Sequence, residues 1–146
     1  MDHDCEQLKT VWISHSVEET ESIGRRIAAQ VPASAVIAMY GGLGCGKTAI
    51  TRGIVSGLGI DAEVSSPTFA LVNVYGRERT VAHYDMYRIT SWEDLYTTGF
   101  FEYIDAGAVV LVEWSENIEN ALPENAWRLI LERLGDNERR ITLERN

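Results

Sequence analysis

Residues 41–48 read Gly-Gly-Leu-Gly-Cys-Gly-Lys-Thr, and no other stretch restricts the possible folds as far. Glycines at 41, 42, 44 and 46 let the backbone turn tightly and aim successive N–H groups into one concavity, which suits phosphate oxygens. The run matches the P-loop pattern G-x-x-x-x-G-K-[ST], which carries meaning only between a buried strand and a helix. Both flanks supply that context. Val36-Ile37-Ala38-Met39-Tyr40 is mostly apolar, and Lys47 to about Leu58 has helical character. In such a loop Gly42, Leu43, Gly44, Cys45, Gly46, Lys47, Thr48 and Ala49 surround nucleotide phosphates. Lys47 reaches the β- and γ-phosphates, the Thr48 hydroxyl sits on magnesium, and the helix adds the positive end of its dipole. The competing reading, a glycine-rich turn that binds nothing, does not explain why motif and flanks agree.

The chain has 146 residues, enough for one domain with a proper core. A single P-loop domain is expected over residues 8–146, with residues 1–7 a disordered N-terminus. No apolar run approaches the roughly 20 residues of a membrane span. The acidic start, Met-Asp-His-Asp-Cys-Glu, lacks the layout of a signal peptide, so a cytoplasmic location is the expectation. Cys5 and Cys45 are the only cysteines, and two reduced thiols fit a reducing compartment. Formal net charge is −9, which opposes direct binding of DNA or RNA, because that binding depends on Lys and Arg neutralising phosphates. An acidic surface suits a basic protein partner better.

The pattern of elements is α/β. Leu8–Ile13 reads as a first strand. Ser16-Val17-Glu18-Glu19 is a capping box, and Ile23, Ile27, Ala28 and Val31 continue a helix towards Pro32. Strand 35–40 and the P-loop helix follow, the helix stopping near Gly57-Leu58-Gly59. Ser65-Ser66-Pro67-Thr68 is a loop. Phe69–Tyr75 and Thr80–Tyr84 are β-rich around a turn at 76–79, Ser91 opens a short helix to about Thr97, and Ala108–Val112 suits a central parallel strand. A short helix over 116–121 ends before Pro123, and Trp127–Arg133 with Arg139–Glu144 makes a terminal hairpin. The expected architecture is a P-loop NTPase-like three-layer sandwich with a mixed, mainly parallel central sheet.

A P-loop enzyme needs an acid near the metal, at the C-terminal end of a neighbouring strand. Glu113 closes the apolar run Ala108–Val112, and Asp85 closes Val81–Tyr84. Either can hold magnesium, directly or through water, while the other orients the attacking water. Thr68 lies where switch loops carry a threonine that senses metal and γ-phosphate, although an ordinary turn threonine fits its position too. His83 shares a strand face with Asp85 and reads as structural, a partner for a carboxylate. Trp114 reads as packing, with a gating or partner-contact role open. Arg52 and Arg88 are charges near the phosphates or members of surface salt bridges.

Taken in series, these motifs resemble the TsaE family, also called YjeE. Gly41–Thr48, Ser66-Pro67-Thr68-Phe69, His83-Tyr84-Asp85-Met86-Tyr87-Arg88 and Glu113-Trp114 occur in that family's order and spacing. Gly99 and Glu102 resemble its Gly-x-x-Glu segment, and the likeness runs from Ser16 to the terminal hairpin. The resemblance implies an ATPase needed to make threonylcarbamoyladenosine in tRNA, working with TsaD and TsaB and meeting tRNA only through that complex. It implies ATP and Mg2+ as cofactors. Lys47 and the P-loop amides would hold phosphates, Thr48 and Glu113 the magnesium, with Asp85 beside metal and water. Thr68 would be the switch threonine and Trp114 a functional aromatic, while the adenine would lie near Ser16, Val17 and the last hairpin. Gly42 and Cys45 depart from the family's frequent Asp and Ala, and Cys45 raises the prospect of thiol oxidation blocking nucleotide.

The expected chemistry is in-line attack of water on the γ-phosphate. No residue stands out as an arginine finger, so the isolated protein should be slow and wait for a partner. Two other readings are a small-molecule kinase of shikimate-kinase type, for which no arginine-rich lid is found between 90 and 125, and a non-catalytic nucleotide-sensing module.

Overall fold

The computed structural model describes residues 8–42, 44–67 and 71–145. The expectations for residues 1–7, for Leu43, for Thr68 and for the strand start at Phe69 lie outside the described residues.

Seven strands form one sheet in the order β1-β7-β6-β2-β5-β4-β3. The strands are β1 (Leu8–Ser14), β2 (Val36–Tyr40), β3 (Val72–Tyr75), β4 (Val81–Asp85), β5 (Val109–Glu113), β6 (Trp127–Arg133) and β7 (Arg139–Arg145). The four central strands β6, β2, β5 and β4 are parallel. The outer pairs are antiparallel, β1 and β6 each against β7 and β3 against β4. Every residue of β4 and β5 is buried, as a parallel strand covered on both faces requires.

Alternation along these strands divides the core in two. Ile37, Met39, Val81, Leu111 and Leu129 face α1 (Val17–Gln30) and α2 (Lys47–Gly57), whose Ile27, Ile50 and Ile54 they meet. Val36, Ala82, Tyr84, Val110 and Val112 face the other way, onto Met86, Leu95, Phe100 and Ile118. That second layer is α3 (Trp92–Tyr96), α4 (Phe100–Asp105) and a 3-10 segment, Ser115–Ala121. The result is the expected three-layer α/β sandwich. Helix α4 is an addition to the sequence reading.

Local chemistry explains the helix starts. The Ser16 side chain accepts from the Glu19 N–H at 3.0 Å, and Glu19 reaches back to the His15 N–H at 2.8 Å, one residue before the cap. Ser91 caps α3 in the same way, accepting from Asp94 N–H at 3.1 Å. Helices α1 and α2 touch backbone to backbone. A Cβ on Gly53 would lie 2.1 Å from the Glu21 carbonyl oxygen, and one on Gly24 would lie 2.5 Å from that of Ile50. Only glycine permits this approach, which fixes the P-loop helix against its neighbour. An Arg52–Glu21 ion pair at 2.7 Å spans the same two helices at the surface, so Arg52 serves there. Among the described residues no helix is long and apolar enough to cross a membrane.

Candidate functional site

The site lies where β2, β4 and β5 end on the α2 side of the sheet. The P-loop leaves β2, and Glu113 on β5 is the register partner of Met39 on one side and Asp85 on the other. Alternation places Glu113 on the face of Leu111, and His83 and Asp85 on the face of Val81, all towards the α2 layer. Three ionisable side chains of two adjacent strands are thereby buried on one face, and Glu113 among them meets the P-loop lysine. His83 is 0% exposed, and Asp85 and Glu113 are each 5%.

Lys47 Nζ lies 3.5 Å from Glu113 Oε1. On the other oxygen, His83 Nε2 approaches Glu113 Oε2 to 2.6 Å, off the line of a straight N–H···O bond, so that oxygen keeps acceptor capacity. Burial is the largest influence on the Glu113 carboxyl and opposes its charge. The His83 contact and the charges of His83 and Lys47 together outweigh it and hold the group below the usual carboxylate range. Asp85 Oδ1 accepts from the Tyr87 N–H at 2.9 Å. The Asp85 N–H donates to Leu71 O at 2.9 Å, tying the end of β4 to the residue before β3.

Trp114 adopts φ +58°, a left-handed conformation that costs a bulky residue energy. The turn swings its ring over Lys47, 5.8 Å from Nζ, and against Tyr87 with centroids 4.9 Å apart. Cys45 is buried and donates to Gly42 O at 2.8 Å. Burial pushes its thiol up, which keeps it protonated and slow to oxidise.

Ser16 and Val17 come together with Gly46, Ala49, Asn137 and Arg139 around a cavity of ≈ 120 Å³, so the capping-box segment and the last hairpin do meet beside the P-loop. The sequence marks Arg139 only as the first residue of the second strand of the terminal hairpin. Its Nη2 donates to Gly44 O at 3.0 Å and its Nη1 to Gly135 O at 2.9 Å, bringing a cation to the P-loop from 95 residues away. The only local signal for it is its place at the start of a strand that follows Gly135-Asp136-Asn137. Arg88 is exposed.

Oxygen donors dominate the set: the Thr48 hydroxyl in the first turn of α2 and two carboxylates on neighbouring strand ends. Such hard donors suit Mg2+, and Glu113 Oε1, the oxygen on the side of the P-loop lysine, is the one turned towards the loop.

A mixed β-sheet whose parallel central strands carry this loop, with a lysine against an acid at the end of the adjacent strand, defines a P-loop protein. The chain belongs to the TsaE family of tRNA threonylcarbamoyladenosine biosynthesis. The family profile described as "Threonylcarbamoyl adenosine biosynthesis protein TsaE" matches residues 14–141. The tRNA threonylcarbamoyladenosine biosynthesis protein TsaE of Bacillus subtilis is 40% identical over 138 residues, covering 93% of this chain and 84% of that one. That of Treponema pallidum is 35% identical, covering 90% and 97%. The crystal structure of Bacillus subtilis YdiB superimposes with a TM-score of 0.79 at 33% identity, covering 96% of this chain and 87% of that chain.

Proposed function

We propose that the protein binds ATP with Mg2+ and hydrolyses it slowly, as the ATPase component of the cytoplasmic tRNA threonylcarbamoyladenosine machinery, acting with TsaD and TsaB and meeting tRNA only through them. The observation that carries the reading is the contact between Lys47 of the P-loop and Glu113 at the end of β5, 3.5 Å apart. It is the pairing of phosphate-binding cation and metal-side acid that phosphoryl transfer needs.

On this reading the P-loop amides and Lys47 bind the β- and γ-phosphates, and Lys47 leaves Glu113 for the charge that develops on the γ-oxygens. Thr48 and Glu113 would hold magnesium, which when bound supplies neutralisation of phosphate charge. Asp85, fixed by the Tyr87 N–H, holds the attacking water in line. His83 sets the rotamer of Glu113 from behind. Thr68 is the switch threonine of the proposal. Trp114 and Tyr87 form an aromatic wall that keeps bulk water from Lys47. Arg139 steadies the P-loop through Gly44 and sits on the nucleoside side, where Ser16 and Val17 line the cavity. A kinase reading lacks a basic lid, since residues 89–127 contain no Lys or Arg. The reading is tested by calorimetric titration of ATP with and without Mg2+. Wild type should bind with a magnesium-enhanced affinity, Lys47→Ala should lose binding, and Glu113→Gln should lose only the enhancement. Unaltered binding in Lys47→Ala would overturn it.

A further inference from the structure

The net charge of the chain is concentrated in one layer. Residues 89–127 hold eight of the 22 acidic residues and none of the 13 Lys and Arg, a formal −8 of the total −9. This stretch builds α3, α4, β5 and the 3-10 segment. Glu113 is buried at the site, whereas Glu93, Glu102, Asp105, Glu116, Glu119 and Glu124 are exposed. Of those six, only Glu119 is in an ion pair among the described residues, with Arg128 at 3.8 Å. Unpaired like charges on one layer repel each other and are an electrostatic cost unless something compensates them.

The same layer exposes aromatic area. Trp92 is 53% and Tyr96 60% exposed, and both rings pack on Phe101, with centroids 6.5 and 5.2 Å away. Beside Trp92 a groove of ≈ 180 Å³ runs between α3 and the 3-10 segment, with Ile89, Leu95 and Ile118 among its lining and Glu116 and Glu119 across from Trp92. An apolar slot flanked by aromatic rings and rimmed by acids is the anatomy of a protein interface with a hot-spot anchor and a charged rim.

We propose that this layer is a docking surface for a basic protein, which seats an aliphatic or aromatic side chain in the α3/3-10 groove and ranges Lys and Arg against the acids around it. The charge selects the occupant. A nucleic acid would bring phosphates against carboxylates, and a second copy would set these six exposed acids against the same six. The surface also touches the nucleotide site: the 3-10 segment follows Glu113-Trp114 directly, and Asn117 Nδ2 donates to Met86 O and Tyr87 O at 2.8 and 3.1 Å. A side chain in the groove therefore bears on the loop that positions Asp85.

The inference rests on the partnered reading above, and the purified TsaB–TsaD pair is the probe. Binding is measured at low and high salt, with ATP, for wild type, for Trp92→Ala/Tyr96→Ala and for Glu93→Lys/Glu116→Lys. Nucleotide affinity and thermal unfolding serve as controls for folding. Both variants should bind the pair at least about tenfold more weakly, keep wild-type nucleotide affinity, and the charge reversal should flatten the salt dependence. Wild-type binding by both variants would overturn the surface and leave the function standing. A wild-type protein that ignores TsaB–TsaD would overturn both. Binding of unmodified tRNA that the variants lose, or a dimer dispersed by Trp92→Ala, would assign the layer to RNA or to a second copy and overturn the proposal.

Discussion

His83 Nε2 lies 2.6 Å from Glu113 Oε2 across adjacent parallel strands, so the acid that faces the P-loop lysine is held from behind by a fully buried imidazole. The arrangement fixes a carboxylate within a core where an unsupported one would be costly.

That support has a sign in pH. The folded-state pKa of Glu113 is lowered from the ordinary 4.5, so ionised Glu113 contributes stability above pH 4.5 that is lost as the pH falls through the lower folded value. Urea titrations from neutral to acid pH should show Glu113→Gln with a flatter profile than wild type below that point. His83→Ala should cost about 1–3 kcal/mol at neutral pH by leaving the buried acid less well satisfied. Parallel profiles for wild type and Glu113→Gln would show that the carboxylate is not held this way.

The contact of α1 with α2 leaves no space for a methyl group. Gly53→Ala would put Cβ 2.1 Å from Glu21 O, and the helices must separate. A loss of about 3 kcal/mol, at the upper end of overpacking, is expected by chemical denaturation, with weaker ATP binding because α2 carries Lys47 and Thr48. Gly135→Ala, where a Cβ meets nothing within 4 Å, is the matched control and should unfold as wild type.

Trp114 combines a useful ring with a strained backbone. Trp114→Ala loses the ring and keeps φ +58°, whereas Trp114→Gly loses the ring and relieves the strain. The glycine variant should be the more stable by about 1 kcal/mol, measured by denaturant midpoint. Equal stabilities would mean that the turn relaxes once the indole is gone.

Arg139 holds Gly44 and the hairpin turn together through carbonyl oxygens, which a planar fork of donors does better than an ammonium group. Arg139→Ala should weaken ATP binding roughly three- to tenfold, about 1 kcal/mol, and Arg139→Lys should not restore it. Full rescue by lysine would reduce its part to charge alone.

How much of this was legible beforehand follows from the range of each interaction. The P-loop, the helix caps at Ser16 and Ser91 and the apolar run ending at Glu113 are local patterns, and they were read with boundaries within a residue or two. Helix α4 is not legible because its six residues, Phe100–Asp105, are too few to show periodicity. That Asp85 and Glu113 become register partners, that His83 finds Glu113 rather than Asp85, and that Arg139 reaches Gly44 all depend on strand order, which no local pattern encodes. The close approach at Gly24 and Gly53 was invisible for a related reason. A glycine within a helical run signals weak propensity, and only the packed neighbour reveals why it is there.

The central claim is a slow, partner-stimulated ATPase built on Lys47 and Glu113. The direct measurement is Mg2+-dependent phosphate release from ATP while TsaB–TsaD is titrated in, with Lys47→Ala alongside. A low basal rate that rises with the partner and is absent in the variant is the predicted result. A rate that stays flat with partner, or persists in Lys47→Ala, would contradict the account.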